Sequence, residues 1–391
     1  MKFKEYDVIV VGAGFSGAVM AERFASQQNK KVLVLDKREH VAGNCYDKVD
    51  TNGVVVHQYG PHLFHTRHED VWQYLSQFTD WHPYEHKVLA KIDGQLAPVP
   101  FNLNSLHAFY PKNKAEQLER LLISKYGENS KIPILDLKQT DEPRLQQLAD
   151  FIYNKLFVNY TCKQWGCTPE EISPSVTARV PVVLNRDDRY FHDKYQAIPK
   201  NGYTALINNI LSHPNITIAT NVDAKDYIAL EPDSKSVLVE GDVFNGLIVY
   251  TGMLDELFSY GKGELPYRSL QFQFEQHDVE FYQPATTVNY PNEENFTRIT
   301  EFKHILSQQL PSTTIVKEFP QDYDKSDPNC NIPYYPVFNE QSQAAYHVYA
   351  NEIEKYPKII ALGRLAQYKY FNMDDAVKNA LDIFSSGSSN D

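Results

Sequence analysis

Apolar and polar positions change period several times along the chain, and each change marks an element. Residues 8–11 (VIVV) and 32–35 (VLVL) are short unbroken apolar runs, as in strands buried on both faces. Helical spacing fills the gap between them to about Gln28, so residues 7–36 read as a strand–helix–strand unit. From 104 to 160 helical periodicity prevails. In KAEQLERLLISKYG, Leu118, Leu121, Leu122 and Ile123 share a face, with Asn113 placed to cap the start and Gly127 to stop the end. A second helix is expected over PRLQQLADFIYNKLFVNY, opening at Pro143. The next stretch, GCTPEEISPSVTARVPVVLNRDDRY, contains Pro169, Pro174 and Pro181 and no sustained period, and it reads as a mobile loop.

Further on, GYTALINNILSHPNITIATN reads as a helix followed by a short strand, and GLIVYTG as a buried strand ending in a glycine turn. Between 267 and 318, RSLQFQFEQ, ATTVNY, FTRITEFKH and TTIVKEF alternate as strands do. The segment KIIALGRLAQYKYFNMDDAVKNALDIF is a strand, a loop and a helix that begins near Asn372. The polar tail SSGSSND reads as disordered.

Composition narrows the function. At 391 residues the chain accommodates two or three domains. Aromatic side chains are abundant, with 26 Tyr and 21 Phe; core filling accounts for most of them, and a cleft that stacks sugars or bases would use some of the rest. A net charge of −12 argues against nucleic acid as a partner, but not against a small anion held by a few converging arginines. The four cysteines form no C-x-x-C pair, which excludes a zinc ribbon or a dithiol motif. The apolar run at 8–11 is too short for a signal peptide, and no run approaches the roughly 20 residues that span a bilayer. A cytoplasmic protein without membrane insertion is expected.

Gly12, Gly14 and Gly17 form G-x-G-x-x-G directly after a strand and at the opening of a helix. There the first glycine allows the tight turn, the second lets the backbone approach a pyrophosphate, and the third lets helix pack on strand. The helix N-terminus offers free N–H groups to the phosphates. Asp36, closing the second strand, is placed for ribose hydroxyls. An isolated unit of this kind at the extreme N-terminus favours FAD over NAD. No second such motif marks a dedicated hydride-donor domain. The helix starting near Asn372 can direct its dipole at the flavin, worth up to ~2 kcal/mol toward negative charge there.

The fold expected is therefore α/β (α+β overall): a Rossmann-like FAD-binding domain interrupted by a helical domain and an antiparallel β-sheet domain. Residues 1–82, 201–255 and 343–391 are assigned to the first and 101–180, with the mobile loop, to the second. The third takes 83–100, 181–200 and 256–342 as a substrate domain.

Among candidate reactive groups, HQYGPHLFHTRH supplies His57, His62, His65 and His68. Gly60-Pro61 breaks any helix and no carboxylate cluster accompanies the spacing, so no metal site is assigned. His62 is either presented toward the flavin by the Gly-Pro turn or satisfied in the core. Arg179, in the proline-punctuated loop, and Arg298, on a strand, have no obvious acid partner nearby in sequence. Each is either a phosphate ligand or half of an ion pair. The tyrosine pairs in IPYYP and YKYF read equally as core or as cleft.

Taken in order, GAGFSG, YGPHLFHT, YTCKQWG, ARVPV, RYFHDKYQAIPKNGYT, YTG, YRSL, FTRITEFKH, IPYYPV and GRLAQYKYFNMD resemble the bacterial UDP-galactopyranose mutases, nearly end to end. The resemblance implies a homodimeric flavoenzyme that interconverts UDP-galactopyranose and UDP-galactofuranose without net redox change, N5 of reduced FAD attacking the anomeric carbon. It implies Trp165 and Tyr190 at the uridine and sugar cleft, with Tyr160, Thr161, Arg268 and Asn289 in the same cleft. Arg179 and Arg298 would clamp the diphosphate, and Tyr335 and Tyr370 would reach it. Arg179, Arg298, His62 and Tyr370 are the expected catalytic set. Around FAD it places Gly12, Gly14, Phe15, Ser16, Gly17, Asp36, Lys37, Arg38, Asn44, His62, Leu63, Gly363, Arg364, Tyr370, Asn372 and Met373. Two positions depart from the family pattern: Ala42 replaces a usual glycine, and Asn372 stands where many members carry aspartate. Two other readings share the scaffold, a conventional flavin oxidoreductase of the amine oxidase type and a non-enzymatic binding protein.

Overall fold

The computed structural model describes residues 2–166, 168 and 181–387. At its centre is a five-stranded parallel sheet in the order Ile216–Ala219, Val32–Leu35, Val8–Val11, Leu247–Tyr250, Ile359–Ala361. Helices cover the inner strands, which explains the unbroken apolar runs: Val32 to Leu35 are all fully buried. The Phe15–Gln28 helix packs against the C-terminal Met373–Gly387 helix and the Tyr203–Ile210 helix. Strand order reverses on either side of Val8–Val11, so a crevice opens beyond the strand ends, between Gly12 and Thr251.

A second, seven-stranded sheet runs in the order Tyr335–Pro336, Tyr267–His277, Thr313–Asp322, Arg298–Glu301, Thr287–Asn289, Val88–Ile92, Gln95–Val99. The expected antiparallel sheet is corrected at one place: Thr287–Asn289 pairs with Val88–Ile92 in parallel. This joins two hairpins far apart in sequence, a pairing that strand alternation cannot specify. The segment 181–200 divides between its neighbours. Pro181–Val183 pairs with Lys131–Pro133 of the helical region, and Tyr195–Pro199 pairs with Phe64–Thr66 and Trp81–Pro83.

Local chemistry moves three element ends. The Lys112–Tyr126 helix is entered through Pro111, whose carbonyl accepts from Lys114 and Ala115, so Asn113 lies inside the first turn rather than at the cap. Gly127 ends it as expected. The helix from Pro143 changes to π-helix over Tyr153–Val158 and resumes as α-helix over Asn159–Trp165. At the far end Ser385, Ser386 and Gly387, expected in a disordered tail, continue the last helix, and 388–391 lie outside the described residues. Among the described residues, no helix is long and apolar enough to cross a membrane.

Candidate active site

The crevice deepens into a cavity of about 620 Å³ walled by the glycine turn, by the strand ends at Asp36 and Thr251, and by the start of the last helix. Backbone forms much of its floor. Gly12 has φ +102°, and a Cβ there would lie 2.1 Å from Thr251 Oγ1; a Cβ on Gly17 would lie 1.9 Å from the Gly12 carbonyl oxygen. Gly14 opens the Phe15–Gln28 helix without any side-chain cap, so the first-turn N–H groups keep their hydrogen-bonding capacity. Asp36 braces this turn: Oδ2 accepts from Ala13 N–H at 2.8 Å and Oδ1 from Arg38 N–H at 2.9 Å.

Of the residues expected around a dinucleotide, Gly12, Gly14, Phe15, Ser16, Gly17, Asp36, Lys37, Arg38, Asn44, His62, Gly363, Arg364, Asn372 and Met373 line this cavity. Leu63 and Tyr370 do not. Leu63, just before the Phe64–Thr66 strand, packs against the apolar core, and Tyr370 is more than half exposed, its ring 5.2 Å from the Arg364 guanidinium. Arg38 Nη2 donates to Asn44 Oδ1 at 2.8 Å, whereas its Nη1 is buried without a partner. The walls at Val222, Asp223, Thr251, Gly252 and Met253 were not anticipated. Their signal was present in the turns that follow ITIA and LIVY, once those strands are known to flank the first. Asn372 does precede the last helix. Its N–H donates to Asp375 Oδ2 at 3.3 Å and its carbonyl accepts from Ala376 at 3.0 Å.

The histidines disperse. His62 Nδ1 donates to the Gly60 carbonyl at 2.9 Å, which leaves Nε2 as an acceptor, and its backbone N–H donates to His57 Nδ1 at 3.0 Å. Burial, then the neighbouring His57, holds the His62 pKa down to about 3; burial holds His57 at about 4. His65 pairs with Asp193 at 2.6 Å, and His68 lies near Asp374 and Asp375.

A second group of side chains gathers around Arg298. No acid partner lay nearby in sequence, and the ion-pair alternative is met across the sheet: Glu318 stands opposite in the antiparallel ladder, with Oε2 3.2 Å from Nε. The ladder brings together residues 20 positions apart, which no local window reveals. Burial opposes the Arg298 charge, but Glu318, Tyr160, Tyr335 and Tyr190 together raise its pKa. Tyr160 is pushed up to about 12, mainly by burial, and Tyr190 and Tyr335 also move up. These phenols are O–H donors at neutral pH. Tyr335 stacks on Tyr370 at 6.0 Å, while Tyr334 is buried against Phe272. Asn289 faces Arg298 across the ladder and its Oδ1 is buried without a partner. Thr161 and Trp165 share the Asn159–Trp165 helix with Tyr160. Arg268 is differently engaged, paired through Nη1 with Asp322 and packed over Gly166. Arg179 lies outside the described residues. His86, buried beside Arg298 and Tyr190 and held near a pKa of about 3 chiefly by burial, was not anticipated.

Arg364 joins the two regions. The residue lines the cavity, and its guanidinium, which donates to the Tyr334 carbonyl at 3.2 Å and the Phe371 carbonyl at 2.5 Å, lies 5.6 Å from the Tyr335 ring and 5.2 Å from the Tyr370 ring.

Residues 155–370 match the family model described as UDP-galactopyranose mutase, and residues 10–78 match an NAD(P)-binding Rossmann-like domain. The chain belongs to the UDP-galactopyranose mutase family. It is 35% identical over 378 residues to a dTDP-fucopyranose mutase of Escherichia coli, covering 96% of each chain. It is 34% identical over 382 residues to a UDP-galactopyranose mutase of Mycoplasma genitalium, covering 96% of this chain and 93% of that one. A crystal structure of reduced UDP-galactopyranose mutase superposes with a TM-score of 0.71 at 17% identity, over 99% of this chain and 94% of that one. A putrescine oxidase superposes at 0.57 and 12%, over 98% and 99%. Likeness at such identity concerns the fold. Membership of the mutase family makes the protein an isomerase of the pyranose–furanose class and a flavoprotein. The cavity suits a flavin dinucleotide on its own terms, with an uncapped helix N-terminus, glycines where a Cβ would clash, and a buried guanidinium nitrogen awaiting an acceptor.

Proposed function

We propose that the protein interconverts UDP-galactopyranose and UDP-galactofuranose, with FAD in the large cavity and the nucleotide sugar in the Arg298 cluster. The observation that carries this reading is the placement of Arg364, which belongs to the cavity wall and to the Tyr335–Tyr370 pair at once. A sugar held by the second region would lie beside a cofactor held by the first. When bound and reduced, FAD supplies a nucleophile to the anomeric carbon and is regenerated, so no net oxidation accompanies turnover.

The chain's own residues then do three things. Arg298 and the neutral Tyr160, Tyr190 and Tyr335 hydroxyls receive the negative charge that grows on the departing diphosphate, Glu318 keeping Arg298 in place meanwhile. Arg179 is proposed as the second cation. His62 stays neutral, fixed by Gly60, and presents an acceptor to the cavity without adding charge. Trp165 and Thr161 complete the nucleotide side. The reading also takes the protein to be a cytoplasmic homodimer, which light scattering on the purified protein checks for mass.

The test is an assay with dithionite-reduced protein. UDP-galactofuranose should convert to UDP-galactopyranose on chromatography, with none converted by the oxidised form and no reductant consumed per turnover. Since the E. coli relative is named for a dTDP-linked sugar, dTDP-fucopyranose is run in parallel. Conversion of that sugar alone would replace the substrate, and an oxidised product would replace the reaction.

A further inference from the structure

The Asn159–Trp165 helix, which carries Tyr160, Thr161 and Trp165, is tied by an ammonium group to a loop of the seven-stranded sheet. Lys163 Nζ donates to the carbonyls of Tyr290 at 2.6 Å, Glu294 at 2.6 Å and Phe296 at 3.2 Å. An ammonium has three protons, and here three backbone carbonyls take them. A lateral bond adds to it, Asn159 Nδ2 donating to Asn292 Oδ1 at 2.8 Å. The loop so gripped, Tyr290 to Phe296, joins the strand ending at Asn289 to the strand beginning at Arg298. Asn289 and Arg298 face each other across that ladder, and Tyr290 N–H closes the loop onto the Thr297 carbonyl at 2.8 Å. Thr297 N–H in turn donates to the Glu318 carbonyl at 2.9 Å. Lys163 therefore meets the short segment whose end sets where Arg298 and Glu318 stand.

The rest of the helix's surroundings make this contact consequential. Six residues of π-helix precede it, a feature that re-aims a helix face and is frequent at functional sites. Its own turn ends at Gly166, against which the Arg268 guanidinium packs. A methionine at 163 would fill much the same space but leave three carbonyls without their donor. Arginine, with a planar fork, can serve some of the three but not all in the same geometry.

We propose that Lys163 is a positioning residue of the nucleotide-sugar cleft: by gripping the Tyr290–Phe296 loop it fixes the separation between Tyr160 on the helix and Arg298 on the sheet. The inference rests on reading the Arg298 cluster as the nucleotide-sugar site.

The experiment compares Lys163→Met, Lys163→Arg and Asn159→Ala with the unaltered holoenzyme, reading the flavin spectrum, UDP affinity by calorimetry, and KM and kcat for UDP-galactofuranose. Lys163→Met should keep the flavin spectrum, raise KM and the UDP dissociation constant roughly tenfold, and lower kcat less, as loss of about one charge-assisted hydrogen bond's worth of alignment predicts. Lys163→Arg should recover part of both. Lys163→Met with unchanged KM and UDP affinity overturns the proposal, even if its melting temperature falls, because the lysine would then merely stabilise the loop. Should Lys163→Met fail to fold, Asn159→Ala decides by the same split: a rise of roughly twofold to threefold in KM supports the coupling, and none overturns it. If the unaltered enzyme binds no UDP and turns over no UDP-galactofuranose, the reading of the cleft fails instead.

Discussion

The dinucleotide cavity and the Arg298 cluster lie side by side but are made of different material. The cavity is built from backbone: glycines that leave room, an uncapped helix end, and Asp36 bracing the turn. The cluster is built from side chains delivered by separate elements, Tyr160 from a helix, Tyr190 from a loop, Arg298 and Glu318 from two strands, and Tyr335 from a third. A backbone site is intolerant of added atoms. A side-chain site is intolerant of lost charge and of displaced scaffolding.

That contrast is open to direct test, starting with the largest effect. Gly17→Ala places a methyl 1.9 Å from a carbonyl that cannot move without unmaking the turn, costing ~1–3 kcal/mol or more. The purified variant should be nearly colourless, as judged by the ratio of flavin to protein absorbance; a fully yellow variant with ordinary FAD affinity would remove the backbone account of the cavity. Arg298→Ala comes next. It should keep flavin and lose roughly tenfold to a hundredfold in kcat/KM, one or two charge-assisted contacts to the leaving group. Adding Glu318→Gln should recover stability lost through the unpaired carboxylate, but not turnover. Unchanged steady-state kinetics in Arg298→Ala would detach the cluster from the chemistry.

A smaller effect is linked to pH. His57 and His62 on the cavity side, at about 4 and about 3, and His86 on the cluster side, at about 3, refuse protons that the unfolded chain accepts below about pH 6.5. Unfolding therefore becomes easier as pH falls from 6.5 toward 4, by ~1.4 kcal/mol per pH unit for each histidine, and above 6.5 this dependence disappears. Urea midpoints across that range should fall less steeply for His57→Gln and for His86→Gln than for the unaltered protein. An identical slope in both would assign the acid sensitivity to other groups. The smallest effect is at Asn372→Asp, which adds a negative charge at the start of the last helix and should stabilise that helix by ~0.5 kcal/mol. The same charge lines the flavin cavity, so the midpoint potential should become more negative. A redox titration showing no change would mean that position 372 is not felt by the flavin, and a positive shift would overturn the predicted direction of that coupling.

The comparison also accounts for what could be read in advance. The glycine turn, Asp36 and the flanking runs lie within one window of about thirty residues, and each has a local conformational demand, so this half of the cavity was legible. The other half, at Val222 and Thr251, depends on which strands flank Val8–Val11. Arg298 was singled out as an arginine on a strand, where the structure places it, yet its acid was invisible because Glu318 is its neighbour only across a ladder. Glu318 did leave a trace, sharing strand parity with the buried Val316. His86 left none. At the Lys112–Tyr126 helix a cap residue was legible and still wrong, since Pro111 takes the cap position two residues earlier.

By itself, then, the sequence determined the conformational requirements of this protein: where glycine was needed, where helices could start and stop, and which strands would be buried on both faces. These follow from the sterics and solvation of neighbouring residues, which any short window contains. Only the tertiary structure decided which charges met. Arg298 with Glu318, Arg364 between a cavity and two tyrosines, and Lys163 on the carbonyls of a distant loop each depend on strand register and on helix placement. Those are settled by burial of apolar surface over the whole chain, and the polar partners find one another as a consequence.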